Sequence, residues 1–489
     1  MLRRLLLLGW ALYCPAQAAA PPRIELTATP AWAGWSRPGQ STEIDIRLRA
    51  DAAVRVTLEL VAGRQTVHTE LDLEPGRVMR LQLPVAAAQT VALSAALPGA
   101  APLRREVVIA QSESPVLGVA VAVADPARIE GIAGFHTVAL AADDLPRHAS
   151  AYGGIDALVI DAATLAALDE RQLAALLAHA AGCGRLAVVT SDDRVRRLLD
   201  DAAGCGGRAL VMAGSLAAAR ARLGESLATS LPPAMSPAAL AAMAGPGHAV
   251  WDRVAVSLAV YFAVALLMLL FTAALPALVL TPALASAVAW VLLSVAPPAS
   301  QLVVWSEGES GARVARYQAL QRFAGQAHER VRTALPPQLA SAARPCDAAQ
   351  ALRLGFDARS GQAGFAEFES RLFRQTALCY SGSFPLARAM ATVARADGSR
   401  EVGNAGSKAW PAGVLLAAGR VHALPALSPG ARLTVAAQAG DPPGDAVART
   451  AMSRLPPGNV AARWALDLAG VAALPAGAQG WLLMSEAMP

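Results

Sequence analysis

The chain has 489 residues, 55% of them hydrophobic, with a mean hydropathy of +0.40 and a formal charge of +5. That apolar share exceeds the usual range for a water-soluble domain and argues for contact with lipid. The positive charge rests on arginines scattered along the chain, Lys408 being the one lysine, and scattered arginines exclude the basic stripe of a nucleic-acid binder.

Residues 1–20 read as a secretory signal: Arg3 and Arg4 precede a short apolar run, which ends in small-residue cleavage choices near Ala18 and Ala20. Cys14 follows Tyr13 rather than a small residue, which argues against lipidation. Removing the signal leaves Cys183, Cys205, Cys346 and Cys379, an even number that suggests two disulfides in an exported chain.

Residues 21–112 carry short alternating runs, IELTATP, STEIDIRLRA, VRVTLEL, TVHTELDLEP and VMRLQLPV, broken by Pro, Gly and Asp. Period-two alternation in such segments predicts an antiparallel β-sandwich of immunoglobulin-like architecture. His68 lies in one of these runs and is expected to be a solvent-facing strand residue rather than a ligand.

From 113 to 230 the periodicity changes. VLGVAVAVAD, HTVALAADD, DALVID, RLAVVTSDD and RALVMAG are strand candidates, with helical stretches such as ATLAALDERQLAALLAHAAG and DDRVRRLLDDAAG between several of them. Strands alternating with helices predict a doubly wound parallel α/β domain. Pro232, Pro233, Pro237 and Pro246 then mark a linker over 231–250.

Between Val254 and Ser306 there are 53 consecutive residues without Asp, Glu, Lys, Arg or His. One helix of that length would extend about 80 Å, against about 30 Å of hydrocarbon core. Pro276 and Pro282 divide the run, so 251–305 is expected to be a two-helix transmembrane hairpin with Trp251 and Trp305 at the same interface. The turn lacks Arg and Lys while Arg253 sits on the outer side, so the positive-inside bias is absent, and a single span with a cytoplasmic C-terminus is the other topology open. In the hairpin topology residues 306–489 are periplasmic, in keeping with the pair Cys346 and Cys379, and their strand-like runs predict a C-terminal β-rich domain. Tyr317 to Leu335 fits a helix or a pair of strands. His328 and His422 have no metal-like spacing.

The motif AGCG occurs at Ala181–Gly184 and again at Ala203–Gly206, each about three residues before an apolar strand. If those strands are parallel neighbours, their starts lie about 4.8 Å apart, within reach of a Cys183–Cys205 disulfide clip. At the opposite edge of the sheet Asp125, Asp143, Asp144, Asp161, Asp192 and Asp193 follow apolar strands. Asp125, Asp161 and Asp192 are the candidate metal ligands there, through hard carboxylate oxygens. The simpler role for such residues is to cap the helices that follow. No Gly-rich phosphate loop follows the first strand, where ADPARIEG stands instead, so no nucleotide or other cofactor is expected.

The stretch GGIDALVIDAATLAALDERQLAALLAHAAGCGRLAVV, the apolar run with Pro276 and Trp290, and more loosely NAGSKAWPAGVLLAAGRVHALPALSPGARL resemble bacterial envelope proteins with a periplasmic class I glutamine amidotransferase-like domain and a transmembrane hairpin. Gly182 and Cys183 stand at that family's glycine-glycine position, and the basic residues of its hairpin turn are missing. The resemblance implies a role accessory to envelope transport or assembly. Catalysis is not expected, because Cys183 follows a helix instead of a strand and no His-x-Glu pair lies downstream. His179, one turn earlier, is expected on the helix surface. Taken together, the sequence predicts a non-catalytic scaffold at the inner membrane with mainly periplasmic domains, whose partners are the lipid bilayer and other envelope proteins. The competing reading is a membrane-bound hydrolase or metal-dependent enzyme that uses the aspartate edge.

Overall fold

A computed structural model describes residues 22–122, 134–203, 209–228, six positions within 256–266, and 300–309, 314–323, 329–335, 343–346, 350–357, 362–370, 376–385, 390–405, 413–417, 420–436 and 479–485. In chain order the first strands are β1 (Ile24–Pro30), β2 (Trp35–Ser36), β3 (Ser41–Ala50), β4 (Val54–Ala62), β5 (Gln65–Leu73), β6 (Val78–Ala86), β7 (Thr90–Ala96), β8 (Leu103–Val108) and β9 (Ala110–Gln111). Alternate residues of these strands face inward, for example Ile44, Ile46 and Leu48 of β3 and Val56, Leu58 and Leu60 of β4, all fully buried. Each such side chain stabilises the fold by roughly 1.5–3 kcal/mol.

The α/β region follows as β10 (Val116–Ala120), β11 (His136–Ala139), β12 (Ala157–Asp161), α1 (Ala162–Ala167), α2 (Glu170–Ala181), β13 (Arg185–Val189), α3 (Asp193–Ala202), β14 (Leu210–Ala213) and α4 (Leu216–Ala228). Its five strands are parallel and ordered β11-β10-β12-β13-β14, so counted along the chain they read 2-1-3-4-5. Both faces are covered. Val116, Leu158, Ile160, Leu186 and Val188 pack with Leu176 of α2 and Leu199 of α3, while Leu117, Val119, Val159 and Ala187 pack with Ala219 and Leu223 of α4. Burial on two faces is why these strands read as continuous apolar runs.

The later strands are β15 (Ser300–Glu309), β16 (Val314–Phe323), β17 (Glu329–Ala334), β18 (Arg344–Pro345), β19 (Leu352–Asp357), β20 (Gln362–Ser370), β21 (Thr376–Pro385), β22 (Met390–Ala394), β23 (Arg400–Asn404), β24 (Gly413–Ala417), β25 (Arg420–Leu424), β26 (Arg432–Val435) and β27 (Gln479–Ser485). Two corrections to the expected architecture come from them. The first concerns the C-terminal domain. β19 lies parallel to β5, with Leu354 opposite Val67 and Gly355 opposite His68, so β17, β20 and β19 extend the sheet of β5, β4, β7 and β8 to seven strands. One hydrophobic cluster joins Leu58 and Leu83 to Phe323, Leu354, Phe368 and Leu378. The chain beyond 306 therefore does not build its core separately. A sheet edge with unpaired N–H and C=O groups recruits further strands, and here the recruit comes from about 285 residues away.

The second correction concerns the membrane hairpin. Strands dominate, and among the described residues no helix is long and apolar enough to cross a membrane, a statement that does not bear on strands. The last residues assigned to the hairpin belong to β15, where Trp305 is opposite Gln318 of antiparallel β16 and Trp481 of parallel β27. A strand paired on both sides and an apolar helix can share the same hydropathy, so the absence of charge alone does not separate them. The signal at 1–20, the linker at 231–250 and most of 251–299 lie outside the described residues. The Tyr317 to Leu335 segment, open between helix and strands, contains the end of β16 and all of β17.

Candidate functional site

Helix α2 begins with a reciprocal cap, the Asp169 carboxylate accepting from Gln172 N–H and the Gln172 side chain accepting from Asp169 N–H. It ends in a Schellman motif: Gly184 N–H donates to His179 C=O at 2.8 Å and Cys183 N–H donates to Ala180 C=O at 3.2 Å. Cys183 occupies the position where such a motif usually carries glycine, with φ of 67°. It is buried and disulfide-bonded. The partner expected for it, Cys205, lies outside the described residues. A thiol held this way differs from the exposed, strand-to-helix nucleophile of an amidotransferase.

His179 is a correction. Its ring is tucked inward, stacked on the wholly buried Tyr152 with centroids 5.0 Å apart, and Tyr152 meets Trp32 edge to face, also at 5.0 Å. Gly184 makes room for that ring, since a Cβ there would lie 2.1 Å from the imidazole. Burial pushes the His179 pKa down to about 4, against a smaller upward effect of a hydrogen bond to the Arg185 backbone, so the ring is neutral at pH 7. The surface expectation failed because α2 packs its C-terminal half against the 3-10 turn Ala149–Gly154 and against β16 and β21.

The same turn docks the α/β sheet onto β3 and β6. Glu43 of β3, 2% exposed, accepts hydrogen bonds from Arg147 N–H, His148 N–H and the His148 imidazole Nδ1 at 2.7 Å. Arg147 extends its guanidinium to Asp169 and Gln82. Trp32 Nε1 donates to Ala151 C=O at 3.0 Å, and Arg37 pairs with Asp156. No motif marks Glu43, because it lies on the polar-reading face of an alternating strand, and only tertiary packing distinguishes a covered polar face from a solvated one. Tyr152 and the arginines below were likewise unmarked by any motif.

Where β3, β5 and β6, the α/β sheet and the later strands meet, they bound a half-open cavity of about 620 Å³. Tyr152, His179, Cys183, Arg185, Arg316 and Arg344 are among the residues that line it. It opens at the amino ends of β12 and β13, on the opposite side of the sheet from the carboxyl edge at which doubly wound folds usually bind ligands.

At the carboxyl edge the aspartates are placed as follows. Asp161 is the N-cap of α1, accepting from Thr164 N–H, and its other oxygen accepts from Ala122 N–H at 2.8 Å across the strand-order switch. Burial raises its pKa, but these hydrogen bonds outweigh it and hold the carboxylate below its ordinary range. Asp192 caps α3 through Arg194 N–H, Asp193 lies in the first turn of that helix, and Asp144 accepts from Ala141 N–H beside Asp143. Asp125 lies outside the described residues. Among the described residues no group of three His, Cys, Asp or Glu side chains is placed to hold a metal ion. Cys346 and Cys379 form a disulfide. His68 is half-buried under β19, its Nδ1 3.3 Å from Arg353, and burial, with the Arg353 charge, lowers its pKa. His422 is buried in β25, and His328 lies outside the described residues.

No protein-family model matches the chain, and no curated protein does. Among solved structures, it is similar to a β-glucosidase from Erythrobacter marinus (13% identity over 18% of this chain and 16% of that one, TM-score 0.14). It is also similar to the putative ApaA protein from Bordetella pertussis (10%, 19% and 95%, TM-score 0.14) and to a cycloisomaltooligosaccharide glucanotransferase from Paenibacillus sp. (12%, 28% and 20%, TM-score 0.15). The chain thus spans about a sixth of the glucosidase, and scores at this level carry no argument about fold or activity.

Proposed function

We propose that this chain is a non-catalytic protein of the extracytoplasmic envelope, an accessory or scaffold subunit for a transport or assembly system. One observation carries the reading: Cys183, the cysteine within the amidotransferase-like stretch, is a buried half-cystine held in the C-terminal turn of α2 and offers no free thiolate. The Cys346–Cys379 disulfide supports an oxidising compartment. Asp161 and Asp192 serve as helix caps, a structural use of both carboxylates. The experiment is affinity capture from the envelope fraction with a tag after Pro489. Recovery of a defined transport or assembly complex supports the accessory role, and clean recovery of the protein alone counts against it.

A further inference from the structure

We infer that β8 is an interface: its free edge pairs antiparallel with the same strand of a second copy of this chain, about a twofold axis at Arg105. The inference does not depend on the accessory role. β8 ends the seven-stranded sheet, and among the described residues no strand is hydrogen-bonded to its outer side before β2 meets β9 at Ala110 and Gln111. β1 runs beside it but bonds to β3. The register with β7 is unbroken from Leu103 to Val108, with no proline and no bulge, and Val108 is 71% exposed. Ile109 N–H donates to Gln89 C=O at 2.9 Å, so the alternation of an antiparallel ladder turns the backbone groups of Arg104, Glu106 and Val108 away from β7. An unpaired row of this kind is a template for a further strand.

Charge decides which strand fits. Arg104, Arg105 and Glu106 are exposed, and none of the three side chains has an ion-pair or hydrogen-bond partner among the described residues. Charges of one sign protect an edge, as the exposed Arg330 and Arg332 do on β17 at the other end of the sheet. On β8 the signs differ, with Arg104 and Glu106 on one face two residues apart. With the axis at Arg105, each Arg104 lies opposite Glu106 of the second copy, and Leu103 pairs with Val107 on the other face. The same register joins Arg104 and Glu106 through their outward backbone groups. It also starts the second copy's strand opposite Val107, short of β2. Moving the axis to Arg104 or to Glu106 sets arginine against arginine or glutamate against glutamate and loses both opposite-charge pairs. Two such pairs outweigh the one contact between like charges at Arg105, whose side chain faces solvent.

The test is sedimentation velocity of the full chain over a concentration series. A monomer–dimer equilibrium is expected, weaker at high salt. Glu106→Arg makes both charge pairs repulsive and weakens association at least about tenfold, and Arg104→Glu does the same. Combining Arg104→Glu with Glu106→Arg restores association to within about threefold of the natural chain. Arg105→Thr removes the like pair and tightens the dimer, a gain that misfolding does not imitate. A chain that stays monomeric at its highest soluble concentration overturns the inference. So does a dimer that both single charge reversals leave unchanged, or one that the double reversal fails to restore.

Discussion

Replacing Gly184 by alanine tests the packing at the end of α2. The added Cβ would lie 2.1 Å from His179 Cε1 and 2.2 Å from both ring nitrogens, where ordinary contact needs about 3.5–4 Å. The ring must leave its place, and it then forfeits its stack on Tyr152. Overpacking costs about 1–3 kcal/mol and a lost aromatic contact about 0.5–1.5 kcal/mol, so Gly184→Ala is expected to destabilise the protein by about 2–4 kcal/mol. His179→Ala alone loses the stack but opens the space that the new methyl needs. The double variant should therefore be little worse than His179→Ala, giving a coupling of about 2 kcal/mol in a cycle read from urea midpoints. Strict additivity of the two substitutions would refute the contact, and a neutral Gly184→Ala would refute the placement of the ring.

Further outcomes follow from the same structure. Glu43→Ala removes the acceptor that the His148 ring and two backbone N–H groups share in a mostly buried interface, and is expected to lower stability by about 3–5 kcal/mol, with Glu43→Gln milder; thermal melts decide this. Because the folded His179 pKa is about 4 against an ordinary 6.5, the unfolded chain binds the proton first as pH falls. Stability should then drop through the window from 6.5 to 4, by up to about 3 kcal/mol, and the drop should shrink in His179→Phe when denaturation is followed against pH. The disulfide between Cys346 and Cys379 closes a separation of 33 residues, so the paired Cys346→Ala and Cys379→Ala variant is expected to lose about 3–4 kcal/mol in the same melts. In contrast, Gly224→Ala within α4, where a Cβ meets nothing within 4 Å, should gain about 0.5–1 kcal/mol.

Much local structure is written in the residues themselves. VRVTLEL alternates in sequence as β4 alternates in burial, and Asp169, three residues before Gln172, announces the start of α2. The long-range pairings are not written there. Nothing in LRLGFD says that β19 will lie beside β5, because an edge strand advertises backbone groups and not a partner's sequence. The same gap explains the site. His179 and Glu43 sit at positions that a lone helix and a lone sandwich would expose, and both are covered by elements distant in the chain. The charge-free run up to Ser306 misled for a related reason, since its end is a strand enclosed by β16 and β27.

The cavity exists only because the last third of the chain joins the first, and the β5–β19 register is where that claim is most exposed. Thr66→Cys and Arg353→Cys place cysteines at Cα partners of the two strands, whereas Thr66→Cys with Asp357→Cys does not. Under mild oxidation and peptide mapping, the first pair should give a cross-linked peptide joining positions 66 and 353, and the second should give none. Absence of that peptide from the first pair, or equal cross-linking in both, would contradict the shared sheet.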